Sequence, residues 1–160
     1  MADLTVSVPE SSQNIVGVAT IKAPLERVFE AFTDEALFAK WWCRGNPMKI
    51  HRFECRDGGS WHITERTRDG KEHEFLGSFH EVAKNERIIQ TFEYLGMPAR
   101  GHVFLQRADF VAVDANTTEI RTLSTAQSRE ERDGMVASGM EDGWRQSVEA
   151  LGRLLEARDE

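Results

Sequence analysis

The chain has 160 residues, of which 40% are hydrophobic and 29% charged, with a formal net charge of −7. That is one domain's worth of sequence with enough apolar content for a real core, and its acidic balance removes the electrostatic basis for a general nucleic-acid role. The sequence contains no run of about eighteen apolar residues, the length a membrane-spanning helix needs, and the opening stretch lacks the basic start and apolar centre of an export signal.

Residues 1–13 are polar, carry one proline and read as a flexible leader ahead of a single domain over residues 14–158. Asn14–Ile21 is rich in β-branched residues and reads as a strand. Ala23–Phe32 reads as a short amphipathic helix. Its proline stands at the first position, Glu26 in the first turn, and Leu25, Val28, Phe29 and Phe32 share one face. Asp34 can cap a second helix from Glu35 to about Trp42, which Gly45-Asn46-Pro47 ends.

From Met48 to Gln127 the apolar period changes to two. Strands are expected at Met48–Arg56, Ser60–Thr67, Lys71–Ala83, Arg87–Tyr94, His102–Val113 and Thr117–Ala126. Asp57-Gly58-Gly59, Arg68-Asp69-Gly70, Lys84-Asn85-Glu86 and Asp114-Ala115-Asn116 are the turns, with a loop from Gly96 to Gly101. A bulge in a strand as long as Lys71–Ala83 would invert the facing of everything after it.

The last thirty residues read as one long helix. Ser128 and Glu131 form a capping-box pattern. At about 100° per residue, Val136, Met140, Trp144, Val148, Leu151 and Leu155 fall on one side, with Gly139 and Gly143 along its edge. Two glycines one turn apart leave room for another backbone or a large side chain, or form one wall of a ligand cavity.

A meander of this length curls because strands twist, and a helix with one apolar side fills its concave face. The expectation is therefore an α+β fold ordered β-α-α-β6-α. A curved antiparallel sheet of about seven strands wraps around the long C-terminal helix, with the bulky residues of the strands lining a hollow between them.

Few residues suggest catalysis. His73-Glu74 and His80-Glu81 begin like a zinc-protease helix, but no second histidine follows and both lie in expected strands. His51 and Cys55 share a strand but stand about 13 Å apart at ~3.3 Å per residue. No metal site and no cofactor are expected. Cys43 and Cys55 are too few for a disulfide framework, and free thiols without an export signal point to the cytoplasm. Strand alternation puts Trp61, Ile63 and Glu65 on one face. If that face is the inner one, Glu65 is an inward carboxylate able to act as a base; the plainer reading leaves it solvated at the strand's end. Trp41 and Trp42 cannot both face the core, because adjacent helical positions differ by about 100°.

The ordered set Ala23-Pro24, Val28-Phe29-Glu30-Ala31-Phe32-Thr33, Trp41-Trp42, Gly58-Gly59, Gly77-Ser78-Phe79 with Glu81, Thr91-Phe92, Gly139-Met140 and Gly143-Trp144 resembles the START-like (SRPBCC) superfamily with its helix-grip fold. Within it, the chain is similar to homologues of the activator of the heat-shock protein 90 ATPase. The resemblance implies a cavity between sheet and last helix and a role in binding apolar or aromatic small molecules without transforming them. Trp41, Phe53, Trp61, Phe75, Phe79, Phe92, Met140 and Trp144 are the expected lining. Two other roles stay open: a polyketide cyclase- or dehydratase-like enzyme using Glu65, and a module that contacts a chaperone ATPase. The co-chaperone of that family carries a further N-terminal domain where this sequence has thirteen residues, which puts the small-molecule role first. A monomer or homodimer is expected.

Overall fold

A computed structural model describes residues 2–157. Eight antiparallel strands form one sheet in the order β1-β2-β8-β7-β6-β5-β4-β3. They are β1 (Ala2–Ser7), β2 (Asn14–Ile21), β3 (Met48–Phe53), β4 (Ser60–Arg66), β5 (Glu72–Ala83), β6 (Arg87–Tyr94), β7 (Val103–Asp114) and β8 (Thr117–Thr125). Between β2 and β3 lie α1 (Leu25–Thr33), α2 (Glu35–Trp41) and a 3-10 turn at Cys43–Gly45; α3 (Arg129–Ala137) and α4 (Met140–Ala157) follow β8. This is the helix-grip arrangement, with one strand more than expected.

That extra strand corrects the reading of residues 1–13 as a leader. Ala2–Ser7 pairs with β2 from Ala2↔Ile21 to Ser7↔Val16. Its alternation buries Leu4 at 3% exposure, and Arg145 of α4 donates to the Leu4 carbonyl at 3.0 Å. A polar composition hid a strand that needs one inward apolar residue and a neighbour. The expected domain end at residue 158 lies outside the described residues.

The second correction concerns the C-terminal helix, which is two helices. Gly139 adopts φ +85°, a left-handed conformation that breaks the run between α3 and α4. Ser128 does cap α3, accepting from the Glu131 N–H at 3.1 Å. The Glu131 carboxylate, however, meets His102 Nδ1 at 2.5 Å. Val136, on the short helix, is 40% exposed, while Val148, Leu151 and Leu155 of α4 are buried as expected.

Trp144 seats α4 on the sheet. It lies over Gly17 of β2, where a Cβ would come within 2.2 Å of the ring. Phe29 and Phe32 of α1 meet Phe110 of β7 edge-on at 5.1 and 5.0 Å. Asp34 caps α2 by accepting from the Leu37 N–H at 3.0 Å. Among the described residues no helix is long and apolar enough to cross a membrane.

Candidate functional site

The concave side of the sheet is packed with aromatic rings. Trp42 stacks on Phe38 at 5.3 Å and meets Trp61 and Phe75 edge-on at 5.6 and 5.5 Å. Phe92 lies 5.5 Å from Phe75 and 6.1 Å from Trp61. The space left among Phe32, Phe38, Trp42, Phe53, Trp61 and Phe79 is about 20 Å³, on the order of one water molecule. The hollow between sheet and helices is filled by its own walls.

Five of the eight expected lining residues come together here: Phe53, Trp61 and Phe79 border the space, and Phe75 and Phe92 close the ring behind them. Three do not. Trp41 packs on Phe32 and Phe38, and its Nε1–H donates to the Ala31 carbonyl at 2.8 Å. Trp42 takes its place, because it caps α2 with an extended backbone, ψ 162°, that turns its ring toward β4 and β5. Met140 packs with the separate cluster of Ile15, Phe104 and Ala126, and Trp144 is committed to Gly17.

The open space lies at one end of this aromatic layer. A cleft of about 660 Å³ is bounded by Arg44 of the 3-10 turn and Asn46 just after it, by Thr67, Arg68, Asp69 and Lys71 of the β4–β5 hairpin, by His73 of β5 and by Gln146 of α4. The floor reaches back to the rings: His73 Nδ1 lies 3.1 Å from the Tyr94 hydroxyl, and the Tyr94 ring lies 5.4 Å from Phe75. Its chemistry is basic within an acidic protein. Asp69 is the one acid in the wall: the Thr67 hydroxyl and the Lys71 N–H both bond to it and hold its carboxyl below the usual range, so it stays ionised, and it lies 3.8 Å from Lys71 Nζ.

The segment supplying Arg44 is strained. Cys43 and Arg44 have φ of 53° and 61°, a conformation uncommon outside glycine that costs of order 1–3 kcal/mol per residue. Two contacts with α4 hold it. The Arg44 N–H donates to Ser147 Oγ at 2.8 Å, and the guanidinium rests on Gly143, where a Cβ would lie 2.6 Å from Nη2. The room made by Gly143 is therefore used by Arg44.

Behind this segment sits Glu65, 3% exposed on the inner face of β4 with Trp61 and Ile63. Asn46 Nδ2 donates to its Oε2 at 2.9 Å. Since Asn46 lines the cleft, the carboxylate is one hydrogen bond removed from it. Burial, with the nearby Glu65 charge, pushes the Cys43 thiol far above its ordinary range; burial alone takes Cys55 to about 11. Both stay protonated at neutral pH and neither is a ready nucleophile.

In the sequence the residues of this cleft are scattered over a helix stop (Asn46), a hairpin turn (Arg68, Asp69), two expected strands (Thr67, Lys71, His73) and the C-terminal helix (Gln146). Their signal was positional: polar loop residues at the end of a rigid aromatic scaffold.

The sequence pattern of the family described as Activator of Hsp90 ATPase homolog 1-like protein matches residues 22–156. No curated protein matches the chain. Among solved structures, one from Rhodobacter sphaeroides is 22% identical with a TM-score of 0.84, covering 97% of this chain and 99% of the other. A protein from Arthrobacter aurescens is 20% identical at a TM-score of 0.86, covering 96% and 91%. One from Mycobacterium smegmatis is 18% identical at 0.86, covering 98% and 99%. At these identities the likeness is one of fold.

Proposed function

We propose, for a chain that belongs to the Activator of Hsp90 ATPase homolog 1-like family, that it binds a small organic anion in the cleft at the end of its aromatic layer. One observation carries this reading: a space of about 660 Å³ with Arg44, Arg68, Lys71 and His73 in its wall, within the range of small-molecule sites. The interior hollow of about 20 Å³ has no room for a ligand of that kind, so the seat moves outward from the apolar cavity that the resemblance implies. A flat body would meet His73, and a carboxylate or phosphate would meet the guanidinium groups, whose planar donors suit both.

Amide-resolved NMR titration with benzoate, salicylate and phenyl phosphate, against neutral benzamide, tests this. Saturable shifts at Asn46, Lys71 and His73 are expected for the anions, weakened at least about tenfold by Arg44→Ala, the loss of one charge-assisted contact. Shifts confined to Trp42 and Trp61, or none, would contradict it.

An acid–base enzyme is the second reading, and the burial of Glu65 behind Asn46 favours it. It requires turnover of a bound substrate that Glu65→Gln abolishes while binding persists.

A further inference from the structure

We propose that His51, His62 and Glu74 form a site for one divalent transition-metal ion of the zinc class on the outer face of the sheet, away from the cleft. The three residues come from adjacent strands, β3, β4 and β5. A bulge makes their meeting possible. Ile50 pairs with Ile63 and Arg52 with His62, so His51 is the extra residue. His51 and Arg52 are both exposed, while Ile50 and Phe53 pack against the core. The His51 and His62 rings lie 4.3 Å apart, tilted by 31°. Glu74 Oε2 is in direct contact with His62 Nε2. One donor atom from each of the three residues lies within 4.8 Å of the other two.

Two imidazoles and a carboxylate are a ligand set that zinc, nickel and copper accept, and three protein ligands leave a position for water. With ligand bonds of about 2.0–2.2 Å, tetrahedral donors stand roughly 3.4 Å apart. Donors within 4.8 Å of one another therefore close by no more than about 1.4 Å to reach that spacing, a shift on the scale of side-chain rotation. The Thr64 hydroxyl, 2.8 Å from His51 Nε2, fixes the orientation of that ring, as outer hydrogen bonds do for ligating histidines.

The neighbouring cations are engaged elsewhere. Arg52 donates to Ser60 Oγ at 2.6 Å and lies 3.9 Å from Glu54. Arg100 donates to both oxygens of Glu93 at 2.9 Å. Lys49, opposite Thr64, remains on the same face, and its charge argues for moderate affinity. Inspection along single strands gave no expectation of a metal, because the ligands assemble only across them.

The test uses the full chain, stripped with chelator, and titrated with Zn²⁺ by calorimetry and with Co²⁺ by visible absorption. One equivalent of metal is expected, with binding weakened at least about tenfold in His51→Ala, His62→Ala and Glu74→Gln alike, since each removes a ligand. His80→Ala and Cys43→Ser/Cys55→Ser should leave it unchanged. As an independent readout, Co²⁺ should broaden the imidazole NMR signals of His51 and His62 ahead of those of His73, His80 and His102. Failure to take up either metal overturns the proposal. So does uptake that survives the three ligand variants, or that disappears with the cysteines.

Discussion

At Gly77 a side chain would have nowhere to go. A Cβ there would stand 2.0 Å from the Thr91 carbonyl oxygen and 2.6 Å from Trp61 Nε1. The backbone oxygen cannot swing aside as a flexible side chain can, and the indole is 2% exposed. Gly77→Ala should therefore cost about 2–3 kcal/mol, the upper part of the overpacking range, read as a lower urea midpoint with unchanged slope. The Trp61 N–H is also the one buried side-chain polar atom left without a hydrogen-bond partner among the described residues. Its ring is held by shape alone.

Glu93 is the opposite case. Both its oxygens are bonded by Arg100, and one also accepts the Gly101 N–H at 2.7 Å. These contacts hold its carboxyl down to about 2, from an ordinary 4.5. A depressed folded-state value means the stabilisation is fully present above the ordinary one and is lost as pH falls from about 4.5 toward 2. Glu93→Gln should flatten the fall in stability across that window and leave the profile between pH 6 and 8 unchanged in slope. A wild-type slope retained in the variant would assign the acid transition to other carboxyls.

Among the elements, β1 tests how far composition can be trusted. Only Leu4 of this strand points fully into the core, at 3% exposure. Leu4→Ala should cost about 2–3 kcal/mol, the lower part of the range for truncating a buried leucine; a loose leader would register nothing in thermal melts. The meander was legible for a simple reason. Its strands alternate with a period of two and Gly-, Asp- or Asn-bearing turns separate them, so Arg87–Tyr94 agrees with the expected bounds at both ends. What escaped were single-residue events. The bulge at His51 adds one residue to β3 and turns two neighbours outward. Gly139 looked like a helix-edge glycine until its positive φ divided the helix. The choice between Trp41 and Trp42 hung on where α2 stops, one residue apart. Of the site, the aromatic layer could be read from bulky inward positions. The cleft could not, because Arg44, Arg68 and Lys71 acquire meaning only when the 3-10 turn and a distant hairpin face each other.

For the whole molecule, the sign of the charge and the character of the cleft disagree, and that disagreement is useful. A protein of net charge −7 repels anions at long range, yet the cleft beyond its aromatic layer carries basic groups. Local attraction to an organic anion should therefore be screened away by salt. Between about 0.01 M and about 1 M the screening length falls from roughly 30 to roughly 3 Å. The affinity for phenyl phosphate should fall steeply over that range, and that for neutral benzamide should not. Equal salt dependence for the two would remove the basic wall from recognition.

The place of β2 in the sheet has a kinetic consequence. β2 pairs with β8, joining Asn14 to Thr125 across 111 residues of chain, whereas β3 to β8 are joined successively by short hairpins. Closing so long a loop is slow relative to zipping neighbours. On a ribosome, the N-terminal hairpin must wait until β8 has emerged, with the edge strands of both halves bare meanwhile. Pulse-labelled hydrogen exchange should find β6 and β7 protected before β2; simultaneous protection would mean that the two halves condense in one step.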